Sequence, residues 1–106
     1  MQVTMRYFDG CPNWKRATKR LFDALDLEDL EDAKIRFELV ETPEAAEAHD
    51  FRGSPTIVID GDDAFDTAGT QVGLACRRYD TEAGPAGTPS LDQIRGALRK
   101  AKAKAG

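Results

Sequence analysis

The chain has 106 residues, enough for one domain with a modest hydrophobic core, and we expect a single domain over residues 1–106. Hydrophobic residues make up 41% and charged residues 32%, and no apolar run approaches the length of a membrane-spanning helix. The net charge of −4, without a basic stripe interleaved with aromatic residues, excludes nucleic acid from the expected partners.

The compartment in which the protein is expected decides which roles its two cysteines can have. The first residues lack the charged-then-apolar layout of a secretory signal, so we expect a cytoplasmic protein with no membrane partner. In that compartment, cysteines are more often catalytic, redox-sensing or metal-binding than paired in a structural disulfide.

The first two predicted elements meet at a cysteine. Residues Val3 to Phe8 are rich in β-branched and aromatic side chains and predict a buried strand, and apolar residues recur at helical spacing from Pro12 to about Leu25. Cys11 lies between them, with Pro12 predicted in the first helical position. Because the free amides of a first helical turn favour a thiolate, Cys11 is suited to be a nucleophile or soft-metal ligand. The alternative is a small buried side chain.

The rest of the chain predicts five further elements. In chain order they are a strand over 35–40, a short helix over 42–48, a strand directly after Pro55, a strand from Leu74 to Tyr79 and a helix from Ser90, with Gln93 completing a capping box. Residues 62–73 and 82–89 are predicted loops. The order β-α-β-α-β-β-α predicts an α/β domain with its first two strands parallel and its last two antiparallel.

This order resembles the thioredoxin fold of the thioredoxin and glutaredoxin superfamily, in which helices flank a central mixed four-stranded sheet. Cys11-Pro12-Asn13-Trp14 lies where that superfamily has its Cys-x-x-Cys or Cys-x-x-Ser motif, and the segment 52–56 resembles the one that carries its cis-proline. The resemblance implies that Pro55 is cis and that the Ser54 backbone is free to pair with an extended peptide or glutathione. The alternative for Pro55 is a trans proline that begins a strand.

The chain departs from the family at the second cysteine of the motif. Trp14 stands there, so a dithiol cycle within the motif is impossible, and the second thiol is Cys76 on the predicted fourth strand. In a thioredoxin fold that strand leads back towards Cys11, although a disulfide also requires Cα atoms within about 7 Å. Cys76 is otherwise a packed strand residue. Trp14 either offers a surface for a substrate beside the thiol or anchors the inner face of the helix.

A second resemblance is to short bacterial thioredoxin-like proteins, some of which are labelled alkylmercury lyase. It rests on Asp-Gly-Cys-Pro-Asn-Trp at 9–14, Gly-Ser-Pro-Thr at 53–56 and Gly-Leu-Ala-Cys-Arg-Arg-Tyr at 73–79. Two soft thiolates bind Hg(II) well, and Asp9 is the carboxylate closest in sequence to Cys11 that could move a proton. Asp9-Gly10 is more typical of a turn that ends a strand, and that is the interpretation we prefer.

Three further side chains can carry a positive charge near a site. Arg77 and Arg78 alternate faces on the predicted strand, so at most one of them points towards the thiols, where it would lower a thiol pKa or hold a carboxylate of glutathione. His49, the single histidine, is expected on the solvated surface. The sequence has no cofactor fingerprint or zinc-type cysteine cluster, so neither a cofactor nor a resident metal is expected.

Three hypotheses follow for function. The first is a cytoplasmic thiol–disulfide oxidoreductase: Cys11 attacks a protein or low-molecular-weight disulfide, Cys76 or glutathione resolves the mixed disulfide, and Ser54, Pro55 and Trp14 position the substrate. The second is a protein that handles a soft metal or mercurial between the thiolates of Cys11 and Cys76. The third is a non-catalytic thioredoxin-like module that holds a partner in the groove beside Trp14 and Pro55.

Overall fold

A computed structural model describes residues 1–67 and 69–105 and has a mixed α/β architecture. Its elements in chain order are β1 (Gln2–Tyr7), α1 (Asn13–Leu27), β2 (Lys34–Leu39), α2 (Pro43–Ala48), β3 (Thr56–Ile59), β4 (Asp62–Asp63), β5 (Tyr79–Thr81), β6 (Gly84–Ala86) and α3 (Leu91–Ala105). The first five elements and the last helix confirm the sequence prediction to within one or two residues at most boundaries.

The predicted four-stranded mixed sheet flanked by helices is present. Its strand order is β2-β1-β3-β4. β1 pairs in parallel with β2, with Val3 opposite Ile35, and antiparallel with β3, with Met5 opposite Ile57. Because β1 is hydrogen-bonded to a strand on each side, its end is held in place, and the chain continues from there to Cys11.

The prediction of a fourth strand from Leu74 to Tyr79 is wrong. The fourth strand of the sheet is β4, which lies within the predicted loop 62–73, and only Tyr79 of the predicted strand belongs to a strand. A tight hairpin explains the difference: Asp60 and Gly61 both have positive φ, at 50° and 91°, so the chain reverses directly after β3. The predicted loop 82–89 likewise contains β6, which pairs antiparallel with β5.

Two apolar clusters stabilise the fold. The larger one lies between the sheet, α1 and α3 and is formed by Val3, Met5, Ala17, Leu21, Ala24, Leu25, Ile57, Ile59, Ile94 and Leu98. The smaller one surrounds Phe51, which is fully buried against Val40 and Ala46, and Val72 and Leu74 pack on its margin. The smaller cluster therefore fixes two parts of the chain. One is Phe51, just before the cis-proline region, and the other is Val72 and Leu74, at the start of the segment that leads to Cys76.

Side chains satisfy or anchor the ends of two helices, one through a local motif and one through contacts with a distant helix. The Gln93 N–H donates to the Ser90 hydroxyl at 3.1 Å and the Ser90 N–H donates to Gln93 Oε1 at 2.9 Å, which confirms the predicted capping box. At the end of α1, Glu28 accepts hydrogen bonds from Arg99 and Arg95 on α3, and these bonds lower its pKa.

Among the described residues, no helix is both long enough and apolar enough to cross a membrane.

Candidate functional site

Cys11 lies in the tight turn that joins β1 to α1. Its N–H donates to the Phe8 carbonyl at 3.0 Å, and its side chain is fully buried. Pro12 has helical dihedral angles but occupies the N-cap, so the prediction that it takes the first helical position is wrong by one residue. The Pro12 carbonyl accepts from the Lys15 N–H at 3.2 Å, a short three-residue bond, and regular helix begins at Asn13. The predicted position of Cys11 between strand and helix is confirmed.

The two predicted motifs come together in space. The Ser54–Pro55 bond is cis, as the resemblance implies, and Pro55 is fully buried. The Ser54 carbonyl oxygen lies 3.7 Å from Cys11 Sγ. The Cys11 sulfur therefore packs against the segment that directly precedes β3.

Cys11 and Cys76 form a disulfide. Their Cα atoms are 5.5 Å apart, although 65 positions separate them in the chain. The two residues are buried unequally, because Cys11 has 0% exposure whereas Cys76 lies at the surface. The sequence left open whether the second thiol approaches the first; the structure brings the two together, although Cys76 does not lie on the predicted fourth strand.

The Ser54 backbone is not free, contrary to the expectation drawn from the resemblance. Its N–H donates to the Ala75 carbonyl at 2.8 Å, and its carbonyl accepts from the Arg77 N–H at 2.8 Å. These two bonds form a parallel bridge between Ser54 and Cys76. We call residues 74–78 the docked segment, because this stretch of the chain itself occupies the backbone edge that an extended peptide would need.

Arg77 of the docked segment and Tyr79, which follows the segment, are buried. The Arg77 side chain is 2% exposed and donates to Asp63 Oδ2 at 2.8 Å and to Thr56 Oγ1 at 3.2 Å. Its guanidinium also lies 4.8 Å from the ring centre of Tyr79. The Tyr79 hydroxyl donates to the Pro55 carbonyl at 2.5 Å, and burial raises the pKa of Tyr79 above its ordinary value. The inward side chains therefore connect the segment to β3, β4 and the cis-proline.

Gly53 allows this close approach. A Cβ at Gly53 would lie 3.0 Å from Arg77 Cβ and 3.1 Å from the Arg77 backbone nitrogen. Its φ of +106° is also one that other residues rarely adopt. No sequence pattern predicts a role for Gly53, Asp63 or Tyr79, and the glycine directly before Ser54-Pro55 is the one local signal that points to this contact.

The outward side chains of the docked segment border an open groove of about 410 Å³. Its lining is formed by Asn13, Cys76, Arg77, Arg78, Pro85, Ala86 and Gly87. Arg78 is exposed and makes no hydrogen bond or ion pair with any described residue. The prediction that Arg77 and Arg78 face opposite ways is therefore confirmed: both residues line the groove, but the Arg77 side chain is buried and the Arg78 side chain is exposed.

Trp14 packs on the sheet. Its ring stacks on Tyr7 with centroids 4.3 Å apart and meets Phe37 edge-on at 6.4 Å. Its indole N–H is buried and has no partner within the described part of the chain. These contacts agree with the anchor interpretation, and a role for Trp14 in binding substrate remains a prediction.

The other candidate residues lie on the surface. Asp9 is exposed in the turn between β1 and α1. His49 caps the end of α2, with Nδ1 3.7 Å from Glu38 Oε1. Within residues 1–67 and 69–105, no three His, Cys, Asp or Glu side chains are grouped so that they would hold a metal ion.

Comparisons with protein-family models, with curated proteins and with solved structures find no match for this chain.

Proposed function

We propose that this chain is a thioredoxin-like thiol–disulfide oxidoreductase of the cytoplasm, with Cys11 and Cys76 as its redox pair. The observation that carries the proposal is their disulfide, which joins the turn before α1 to the docked segment. The strand order β2-β1-β3-β4 and the cis Ser54–Pro55 bond beside Cys11 Sγ support the thioredoxin-like assignment.

The surroundings of the disulfide suit exchange rather than a purely structural role. One of its two residues is at the surface, so an external thiolate has access to the bond. In a reducing compartment a disulfide of this kind is transient, and its formation and cleavage carry two electrons. The substrate is a disulfide when the protein is reduced and a thiol when it is oxidised.

An exchange assay with two single variants tests the proposal. With dithiothreitol as electron donor and oxidised glutathione as acceptor, we expect the protein to accelerate glutathione release, and Cys11→Ser and Cys76→Ser to abolish that acceleration. Ala75→Ser is the matched control, because it adds a hydroxyl at the exposed neighbour of Cys76 and keeps both thiols. Undiminished acceleration by both cysteine variants would rule out the proposed pair.

A second candidate function is a soft-metal or mercurial site, favoured by the same proximity of the two sulfurs. After reduction, two thiolates would hold Hg(II) or Cu(I) between them, provided that the docked segment moves enough to separate the sulfurs. We expect one Hg(II) per reduced chain by native mass spectrometry and none in either cysteine variant. Binding that persists in both variants would place the metal elsewhere.

The third hypothesis, a non-catalytic module that holds a partner in the groove beside Trp14 and Pro55, is less well supported for a partner that binds as an extended strand. An extended partner at Ser54 would have to displace Ala75 and Arg77 from the backbone bonds that they already make. Each lost bond would have to be replaced by the partner, because buried backbone groups are costly to leave unpaired. The geometry therefore favours chemistry at the disulfide over peptide capture beside it.

A further inference from the structure

We infer that Cys76, and not Cys11, is the sulfur that exchanges with an external thiol, and that this thiol is a small molecule with a carboxylate held by Arg78. The inference rests on the proposed redox function and adds to it the attacked sulfur and the substrate class. It reverses the expectation that Cys11 is the group that meets the partner.

Access decides which sulfur is attacked. Cys11 is fully buried, with the Ser54 carbonyl oxygen 3.7 Å from its sulfur. Cys76 is exposed and borders the open groove. Thiol–disulfide exchange depends on access to the attacked sulfur, so an external thiolate reaches Cys76 first.

The occupied backbone edge favours a small partner. Protein disulfides that dock as extended strands need the Ser54 N–H and carbonyl, which are bound to the docked segment. The surface beside Cys76 is an open groove and not an enclosed pocket, so a small molecule reaches it without any backbone pairing. A low-molecular-weight thiol fits beside Cys76 without disturbing the backbone bonds of Ser54.

The charge of the groove favours an anionic partner. Arg77 is neutralised by Asp63, whereas the Arg78 guanidinium has no partner among the described residues. None of the residues that line the groove is Asp or Glu. A guanidinium binds a carboxylate through two parallel N–H donors, so Arg78 would hold a carboxylate-bearing thiol beside the sulfur that it attacks.

The reaction balances with two molecules of that thiol. The first thiolate attacks Cys76 Sγ, a mixed disulfide with Cys76 forms, the bond to Cys11 breaks, and its electron pair leaves on Cys11 Sγ. A second thiolate then attacks the thiol's sulfur in the mixed disulfide, releasing the small disulfide and the Cys76 thiolate. Both protein thiolates take protons from water according to their pKa values. The protein disulfide is reduced by two electrons and two small thiols are oxidised.

The leaving group suits this direction. Cys11 lies just before α1 in the chain, and the N-terminal end of a helix favours a negative charge placed beside it. Once protonated, the Cys11 thiol is placed to donate to the Ser54 carbonyl, because its sulfur already lies 3.7 Å from that oxygen. The released Cys11 thiol therefore remains buried beside the Ser54 carbonyl, while the mixed disulfide on Cys76 extends into the groove.

The attacked sulfur is tested by trapping the first adduct. Oxidised wild-type protein is mixed with reduced glutathione, quenched in acid within the first part of the reaction, alkylated and mapped by tandem mass spectrometry. We expect glutathione on Cys76 and the alkyl group on Cys11. Glutathione found first on Cys11 would overturn this inference alone, whereas oxidised protein without a Cys11–Cys76 disulfide would refute the proposed function itself.

The substrate class is tested by thiols of different charge. Rates of disulfide reduction are measured with 3-mercaptopropionate, 2-mercaptoethanol and cysteamine, each corrected for its reaction with a small model disulfide. We expect Arg78→Gln to slow the carboxylate thiol about fivefold, as for an exposed ion pair, and to leave the neutral thiol unchanged. Arg36→Gln, which removes the same charge from β2, is the control and should change neither rate. Equal slowing of all three thiols by Arg78→Gln would overturn the role of Arg78.

Discussion

The two halves of the disulfide belong to very different parts of the molecule. Cys11 follows β1, which is paired on both sides, and precedes α1, a helix of 15 residues that packs on the core. Cys76 lies in the docked segment, residues 74–78, which forms no strand or helix and is attached by two backbone bonds, the Arg77 network and the disulfide. Breaking the disulfide therefore leaves the position of Cys11 largely fixed and removes one of the attachments of Cys76.

The difference explains how one bond can be both protected and reactive. A sulfur on the framework keeps its position and its buried surroundings through the reaction. A sulfur on an attached segment can turn towards solvent while it carries a partner. The comparison predicts that perturbations of the docked segment affect redox behaviour more than equal perturbations of the sheet.

The largest expected effect is that of removing the disulfide. It closes a loop across 65 positions, and constraint of the unfolded chain by such a loop is worth about 4 kcal/mol. We expect reduction to lower the free energy of unfolding by this amount in urea titrations. Hydrogen exchange should rise at the Arg77 N–H and stay slow at β1. Equal protection of both regions in the reduced protein would show that the segment is not the weaker half.

The next largest effect concerns Arg77. Arg77→Met leaves Asp63 without its cation in a partly buried position, and we expect a loss of about 3 kcal/mol of stability in the oxidised protein. Arg78→Met removes the same charge one residue later at an exposed position, so its change should stay within about 0.5 kcal/mol. Urea denaturation of both variants gives the comparison. Similar losses in the two would mean that the inward network does not hold the segment.

A substitution at Gly53 tests the close approach of this residue to Arg77 in the docked segment. Gly53→Ala must adopt a positive φ and push its Cβ against Arg77, and we expect a loss of about 2 kcal/mol together with faster reduction of the disulfide. Gly96→Ala is the control, because this position on α3 has open space and a helical alanine is more stable than glycine by about 0.5–1 kcal/mol. A Gly53→Ala protein that matches the wild type in stability and reduction rate would contradict the tight fit.

The smallest effect is that of the Tyr79 hydroxyl. Tyr79→Phe removes the bond to the Pro55 carbonyl and should cost about 1 kcal/mol near neutral pH. Because burial raises the Tyr79 pKa above its ordinary value of 10.0, the folded protein keeps this proton when the unfolded chain loses it. Wild-type stability should therefore fall relative to Tyr79→Phe as the pH rises above about 10. A stability difference that stays constant across this range would show that the hydroxyl is not buried.

The same contrast explains what the sequence could predict. The strand from Val3, the helix after Pro12 and the cis-proline segment are specified by local patterns and by two short motifs. β4 has only two residues, so no periodicity could reveal it. The docked segment looked like a strand because of its apolar start and its alternation, but its partners are Ser54 and Asp63, which lie far away in the chain. The backbone pairing of the docked segment with Ser54 depends on those distant contacts, so no local sequence pattern predicts it.

The most direct test of the redox pair is an equilibrium titration followed by intact mass and peptide mapping. The wild-type protein is incubated across a series of dithiothreitol redox buffers, quenched in acid and weighed. We expect one reversible transition in the monomer, a change of two hydrogens that maps to a bond between Cys11 and Cys76. If both thiols stay free under oxidising conditions, or if they pair between chains, the proposed redox pair is refuted.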